Sequence, residues 1–460
     1  MASQVSMARS KLLRPPVPEP APDTMSPLEL ARRMRTNGIT VYARRAYEDE
    51  LIARRFFGRT SFVLNGPEMI RHVLVDRHES YGRTSASIRI LRPLVGAGLF
   101  LSEGNDWRHQ RRALAPAFTP KTVSLLIPHM LSATAETIAE LRTTAGAPLD
   151  LFASLQRLAL EIAGRTMFSL EMRQRSTELR AFIERYGQRL ARPHLLDVLL
   201  PLRWPSPFDL PRSHFRRAWT AFVDQLIEDR RRSSSEGQQP PRDLLDLVLA
   251  ARSPETGKAF SQEQVRDQVA TMILAGHETT AVTLFWAVYL LACAPDAQDR
   301  VADESERFGS SDGVTAVDRL VYTRAVLQEA MRLYPPAYVI VRAAREADEI
   351  ADMPVRPGDL MVVSPWLLHR HRRRWIEPDA FMPERFMPGS LAIDRYAYLP
   401  FGVGPRVCIG AQFAMAEATL VLSRLVGTFR IELVDPRPVM PVAIVTTQPD
   451  HHPAFRLLSR

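Results

Sequence analysis

Phe401-Gly402-Val403-Gly404-Pro405-Arg406-Val407-Cys408-Ile409-Gly410 contains one of the chain's two cysteines, set among three glycines and a proline. A helical pattern follows at once through Ala411, Phe413, Ala414, Ala416 and Glu417. The spacing predicts a tight loop that delivers a thiol to the start of a helix. The partial positive charge and unpaired N–H groups of a helix N-terminus favour a thiolate there. Glycine adopts backbone angles that other residues resist, and it leaves room for a flat ligand against the main chain. Arg406, two residues before the sulfur, can pair with an anionic group on such a ligand. On these residues alone, a structural cysteine beside a glycine turn stays open as a second reading.

Three further patterns stand apart from this loop. Ser261-Gln262-Glu263-Gln264 reads as a capping box. It launches the longest helical pattern, which runs to about Ala294 and is stopped by Pro295. From Ala281 to Ala294 that pattern is uncharged and apolar on every side, as expected of a helix buried on all faces. A clean run of about 14 residues is too short to span a bilayer. Just before it lies Ala275-Gly276-His277-Glu278-Thr279-Thr280. A carboxylate and a hydroxyl inside an apolar helix are costly unless paired or used. Gly276 lets a flat ligand approach the backbone, and Thr279 can bond back to a carbonyl. Trp107 and Arg111, at i and i+4, share one helix face. An indole N–H and a guanidinium together suit a carboxylate. Arg108 and Arg112 then face outward. Glu329 and Arg332, at i and i+3, read singly as an ordinary ion pair. Leu333-Tyr334-Pro335-Pro336 follows directly, and Pro383-Glu384-Arg385-Phe386 lies further on.

Together these patterns resemble the cytochrome P-450 superfamily. Phe401, Gly404, Arg406, Cys408 and Gly410 fill the five fixed places of its haem-binding loop, Phe-x-x-Gly-x-Arg-x-Cys-x-Gly. The resemblance implies a mainly α fold with a small β region, and haem b between the long central helix and the cysteine-loop helix. It implies Cys408 as the axial thiolate, which pushes electron density toward O–O cleavage. Trp107 and Arg111 are then expected to grip a haem propionate, with Arg342 and His369 as further propionate partners. Glu278 and Thr279 are expected to relay and hold the protons that oxygen activation uses. Glu329, Arg332 and Arg385 are expected to form a buried network that locks the proximal side. The implied activity is a monooxygenase, inserting one oxygen atom of O2 into a C–H or C=C bond of a hydrophobic molecule such as a fatty acid, terpenoid or steroid. Two rivals are a peroxide-driven or isomerase-type haem-thiolate enzyme and a non-enzymatic haem sensor. The intact Glu278–Thr279 pair argues against the first, and the lack of a sensor partner domain against the second.

Composition narrows the partners. Cys293 and Cys408 offer no disulfide framework and no zinc or iron–sulfur spacing, which fits a reducing cytosol. No Gly-x-Gly-x-x-Gly fingerprint marks a flavin or nicotinamide domain. Electrons are therefore expected from a separate ferredoxin- or flavodoxin-type donor with its reductase. The net charge is +9, with lysine only at Lys11, Lys121 and Lys258. Such a balance reads as a solvated arginine-rich surface or as a docking face for an acidic donor. The arginines are spread along the chain and no recognition motif is present, so nucleic-acid binding is not expected.

Residues 1–25, with five prolines, are expected to be a flexible tail ahead of one catalytic domain over 26–460. They lack the apolar run of a signal peptide or anchor, which implies a cytoplasmic enzyme without a transmembrane segment. Residues 39–64 read as strands. The stretch 81–101 reads as a substrate loop without clear period, and the apolar Leu195–Leu202 as part of a lid or a membrane contact. Ala337–Val341 and Ile444–Gln448 are expected to reach the pocket. Arg370, Arg372, Arg373 and Arg374 read as a solvated charge run.

Overall fold

The computed structural model describes residues 12–56, 58–169, 176–232, 243–252, 257, 259–308 and 313–460. Along the chain run α1 (Pro27–Thr36), β1 (Leu51–Phe56), β2 (Arg59–Leu64), β3 (Tyr81–Gly82), α2 (Ser85–Val95), α3 (Gly104–Leu114), α4 (Pro120–Thr143), β4 (Pro148–Asp150), α5 (Leu151–Phe168), α6 (Ser176–Arg185), α7 (Asp209–Arg232), α8 (Gln262–Ala292), α9 (Pro295–Phe308), α10 (Val321–Leu333), β5 (Ile340–Ala344), β6 (Leu360–Val363), α11 (Ala411–Thr428), β7 (Phe429–Leu433), β8 (Pro441–Ala443), β9 (Thr447–Pro449) and β10 (Ala454–Ser459).

The predicted central helix is α8. Ser261 Oγ accepts from the N–H of Gln264, and Gln264 Oε1 accepts from the N–H of Ser261, which closes the capping box. From Ala281 to Leu291 every side chain is buried. α8 packs against α2, α5, α10 and α11. Phe285 meets Phe152 of α5 at 4.9 Å between ring centroids, and Trp286 stacks on Tyr334 at 3.8 Å. Each large apolar side chain buried in this way contributes about 1.5–3 kcal/mol. No single helix among the described residues is long and apolar enough to cross a membrane.

The main sheet has the order β1-β2-β6-β5-β3, and its one parallel pair is β2 with β6. A second sheet, β4-β10-β7, is built mainly from the end of the chain. The strand expectation for 39–64 holds only from Leu51. Gly38–Val41 and Arg44–Tyr47 are 3-10 turns, the first opened by Asn37, whose side chain accepts from the N–H of Ile39.

The stretch 81–101 contains a helix, α2, capped by Thr84. Its period is obscured in the sequence because a charged residue faces inward. Arg89 is buried, pairs with Asp209 at 2.6 Å and donates to the carbonyls of Pro201 and Trp204. A second buried pair lies beside it: Arg212 makes a bidentate bridge to Asp197 at 2.6 and 2.9 Å. These contacts tie α2 to the start of α7 and hold the segment between α6 and α7 over the molecule.

Two expectations are corrected. Residues 1–11 lie outside the described residues, but 12–25 are not a free tail. Leu13 O accepts from Phe381 N at 2.8 Å, Ala21 N donates to Tyr42 O at 2.8 Å, and Arg14 pairs with Glu377 at 2.9 Å. The prolines keep this segment extended, which suits it to lie along the domain. Nor is Arg370 solvated. It is 2% exposed and lies 3.7 Å over the Trp366 ring, where burial pushes its pKa down to about 10. Arg372 and Arg374 pair with Glu48 and Glu50.

Replacing Asp197 by Ala leaves the Arg212 guanidinium buried without its carboxylate. The expected loss is about 3–5 kcal/mol, read as a lower denaturant midpoint with an unchanged slope.

Candidate active site

Cys408 sits at the end of a turn whose shape needs glycine at two places. Gly402 and Gly404 have φ of +73° and +75°, and a Cβ on Gly404 would lie 2.3 Å from Leu74 O. Gly410, with φ of −90°, needs no such freedom. It caps α11 instead, and its backbone N–H is directed at the Cys408 sulfur. The loop is closed by Cys408 N donating to Phe401 O at 2.9 Å. Cys408 keeps exposed surface although its thiol lies deep in the molecule. Burial raises its pKa and outweighs the Gly410 N–H and the charge of Arg111. The N–H at the helix start and the Arg111 charge both act in the direction the spacing predicts. A coordinated metal ion deprotonates such a thiol outright.

Arginines crowd around this loop. Arg406 donates twice to Ser102 O at 3.0 Å and lies 4.5 Å over the ring of Trp107. Trp107 is buried and Arg111 half-buried on one face of α3, as their spacing predicts, with Arg108 and Arg112 exposed. Arg342, on β5, is pushed down to about 10 by burial and by Arg406. Arg83 is held well below its ordinary value by burial, by Arg342 and by Arg406, and its buried Nε has no hydrogen-bond partner among the described residues. Among the described residues, the carboxylate that relieves Arg83, Arg342 and Arg406 is Glu103, which is already bonded to Arg345 and to the N–H of Arg83. Clustered cations of this kind, short of counter-charge beside an exposed thiol, fit a ligand carrying both a metal and carboxylates.

His369 is not part of this rim. It is fully buried, with Nε2 accepting from Leu399 N at 2.8 Å and Nδ1 near Met331 O at 3.3 Å. Both ring nitrogens are thus used inside the core, and burial with the nearby Arg332 and Arg370 lowers its pKa to about 3. The expectation of a propionate contact is corrected to a structural role. Arg83 takes its place on the rim. Sequence reasoning missed Arg83 because it stands in no motif and is brought in only by the pairing of β3 with β5.

Midway along α8, Ala275 is exposed, and Gly276, Glu278 and Thr279 are partly exposed. Thr279 Oγ1 donates to Ala275 O at 2.6 Å, the back-bonding its position suggests. The neighbour that a Cβ on Gly276 would meet is Met167 Cε at 2.8 Å, so its small size first of all spares the contact with α5. Glu278 lies deep in the molecule despite its partial exposure, and its Oε1 accepts from Thr446 Oγ1 at 2.7 Å and from Gln448 Nε2 at 2.6 Å. Burial raises its pKa against both donors.

Behind the loop the expected triad is assembled. Arg332 bridges Glu329 at 2.6 and 2.8 Å, and its remaining N–H groups reach the carbonyls of His369, Pro378 and Ala380. Arg385 reaches Glu329 at 3.3 Å and donates to Ile376 O and Glu377 O. Met382 N completes the Glu329 shell at 2.8 Å.

A mainly helical core that presents one thiol to a rim of arginines, with a hydroxyl and a carboxylate on the facing helix, defines a haem-thiolate oxygenase. The Cytochrome P450 family model matches residues 15–452, and the chain belongs to that family. Cyclooctatin synthase of Streptomyces melanosporofaciens is 32% identical over 405 residues, 85% of this chain and 86% of that protein. Cyclooctat-9-en-7-ol 5-monooxygenase of the same organism is 30% identical, covering 84% and 83%. A cytokinin hydroxylase of Arabidopsis thaliana is also 30% identical, covering 84% and 77%. Among solved structures, the cytochrome P450DA haem domain superposes with a TM-score of 0.77 at 26% identity, covering 89% of this chain and 90% of that one. The chain is a haem-dependent oxidoreductase of the monooxygenase kind.

Two outcomes are expected. Cys408→Ser abolishes the thiolate-type Soret band of the reduced, CO-bound protein. His369 stays neutral in the fold down to about pH 3, whereas the unfolded chain protonates it below its ordinary 6.5. The unfolded state therefore binds more protons between these values, and stability falls as pH drops through that window. His369→Gln, which cannot protonate, reduces the acid slope by up to about 1.4 kcal/mol per pH unit in urea titrations.

Proposed function

We propose that this enzyme hydroxylates or epoxidises a hydrocarbon-rich small molecule of the fatty acid, terpenoid or steroid kind, with electrons from a separate ferredoxin- or flavodoxin-type donor in the cytoplasm. The observation that carries the substrate class is the character of the facing walls. Ala337 is exposed, and Val339, Val341, Ile444 and Val445 are partly exposed, all of them uncharged. The one carboxylate on that stretch of α8, Glu278, is bonded to the protein's own Thr446 and Gln448. A substrate is thus offered apolar surface and little ionic anchorage. The printed name of one relative, a monooxygenase of cyclooctat-9-en-7-ol, points to the same class.

Haem b, bound through Cys408, supplies the oxygen-activating and oxygen-transferring chemistry. Arg83, Arg111, Arg342, Arg406 and Trp107 are the groups to hold its carboxylates and fix its orientation. Glu329, Arg332 and Arg385 keep the segment behind Cys408 in one arrangement. Thr279 offers a hydroxyl to hold a proton at the reacting face, and Glu278 a buried carboxyl to pass one inward. The apolar walls exclude bulk water, which limits proton leakage. Separate electron delivery is supported by the exposed basic positions Arg108 and Arg112 on α3.

A compound screen for the low-to-high-spin shift of the haem spectrum is expected to return apolar ligands and not charged ones. Thr279→Ala is expected to lower product formed per electron pair about tenfold or more with O2. Unchanged turnover of this variant on peroxide alone, with no O2-driven activity in the parent, would favour the peroxide-driven alternative.

A further inference from the structure

Glu278 is held in a particular way. Both of its donors bond the same oxygen, Oε1, and among the described residues none bonds Oε2. The donors come from the turn and second strand of the β8–β9 hairpin, which is itself fixed from several sides. Asn37 bonds Pro441 O and Ala443 N, each at 2.9 Å. Tyr338 donates to Ile444 O at 3.1 Å. Thr447 donates from Oγ1 to Pro335 O at 2.6 Å and accepts at its carbonyl from Trp286 Nε1 at 2.7 Å. Thr446 and Gln448 therefore stand on a hairpin anchored at both strands and at its turn.

We propose that Thr446 and Gln448 are positioning residues for proton delivery, pinning Glu278 through Oε1 and leaving Oε2 as the oxygen that takes up and releases the proton. This rests on the relay role proposed for Glu278. The step is a proton transfer alone. The O–H bond at Oε2 breaks, its electron pair stays on that oxygen, the proton passes to the Thr279 hydroxyl as that group hands its own proton to the reduced oxygen, and a proton from solvent later restores the acid. Donors to a carboxylate favour its charged form, while burial disfavours it. The two side chains thereby set how readily a buried acid gives up its proton. Among the described residues, burial raises the pKa of Glu278 and these two donors lower it. His277, the next titratable group on α8, is turned to Gln156 O at 3.0 Å.

The test uses the haem-loaded enzyme with Gln448→Leu and Thr446→Val, each removing one donor at similar size. The carboxylic-acid C=O infrared band of Glu278 is assigned by difference against Glu278→Gln and followed with pH. Loss of one donor is expected to move its protonation midpoint up by about one pH unit. Product formed per electron pair is expected to fall severalfold, and Thr446→Ser, which keeps the hydroxyl, is expected to restore both. Reduced CO spectra and melting temperatures like the parent's identify folded variants, and either variant alone suffices. A parental midpoint and coupling in a folded hairpin variant, with Glu278→Gln impaired, overturns the positioning role. Parental coupling in Glu278→Gln overturns the relay reading itself, and the hairpin proposal with it.

Discussion

The charge around Cys408 is out of balance within the polypeptide itself. Burial depresses Arg83, Arg342 and Arg406, Arg406 adds to this at the other two and Arg342 at Arg83, and the carboxylate that eases them is shared with Arg345. Guanidinium groups do not give up their protons to escape such crowding. The strain is therefore relieved only by an anion brought from outside, and a haem carries two. The same logic applies to the sulfur, whose burial resists the charge that a metal ion would stabilise. Ligand and protein thus correct each other's electrostatics, and binding of the one contributes directly to the stability of the other.

That exchange needs a fixed frame, and the frame lies behind the loop. Glu329 and Arg332 are both wholly buried, yet each polar atom finds a partner: carbonyls of the 369–380 segment on one side, Arg385 and Met382 N on the other. A fully satisfied buried network specifies one arrangement, whereas a partly satisfied one would be costly. The extended segment at residues 12–21 joins this frame, because Leu13 meets Phe381 beside the Ala380 carbonyl that Arg332 uses.

What could be read from the sequence was what chemistry fixes at short range. The spacing within 401–410, the Ala275–Thr280 interruption of an apolar helix, and the i, i+4 face of Trp107 and Arg111 each report local geometry. The Glu329–Arg332–Arg385 triad was legible only through the family resemblance, since its third member is remote. Helix α2 escaped because Arg89 points inward to Asp209, a partner 120 residues away. His369 was misplaced for a related reason: its partners, Met331 and Leu399, are distant in sequence, and a histidine near a cofactor motif looks the same whether it faces the ligand or the core. Arg83 and the pairing of Glu278 with Thr446 and Gln448 likewise depend on contacts that no local pattern encodes.

The dependence of the central helix on late parts of the chain also bears on how the protein is made. Trp286 is completely buried, and its N–H is satisfied by the carbonyl of Thr447, while Glu278 waits for Thr446 and Gln448. A ribosome delivers α8 long before it delivers these partners or Cys408. Until then an apolar helix with an unsatisfied indole and a solitary acid stands without its cover, a state prone to association with other exposed surfaces. Closure of the C-terminal hairpin over α8 is what satisfies both groups, so the central helix is completed by the last part of the chain to be made.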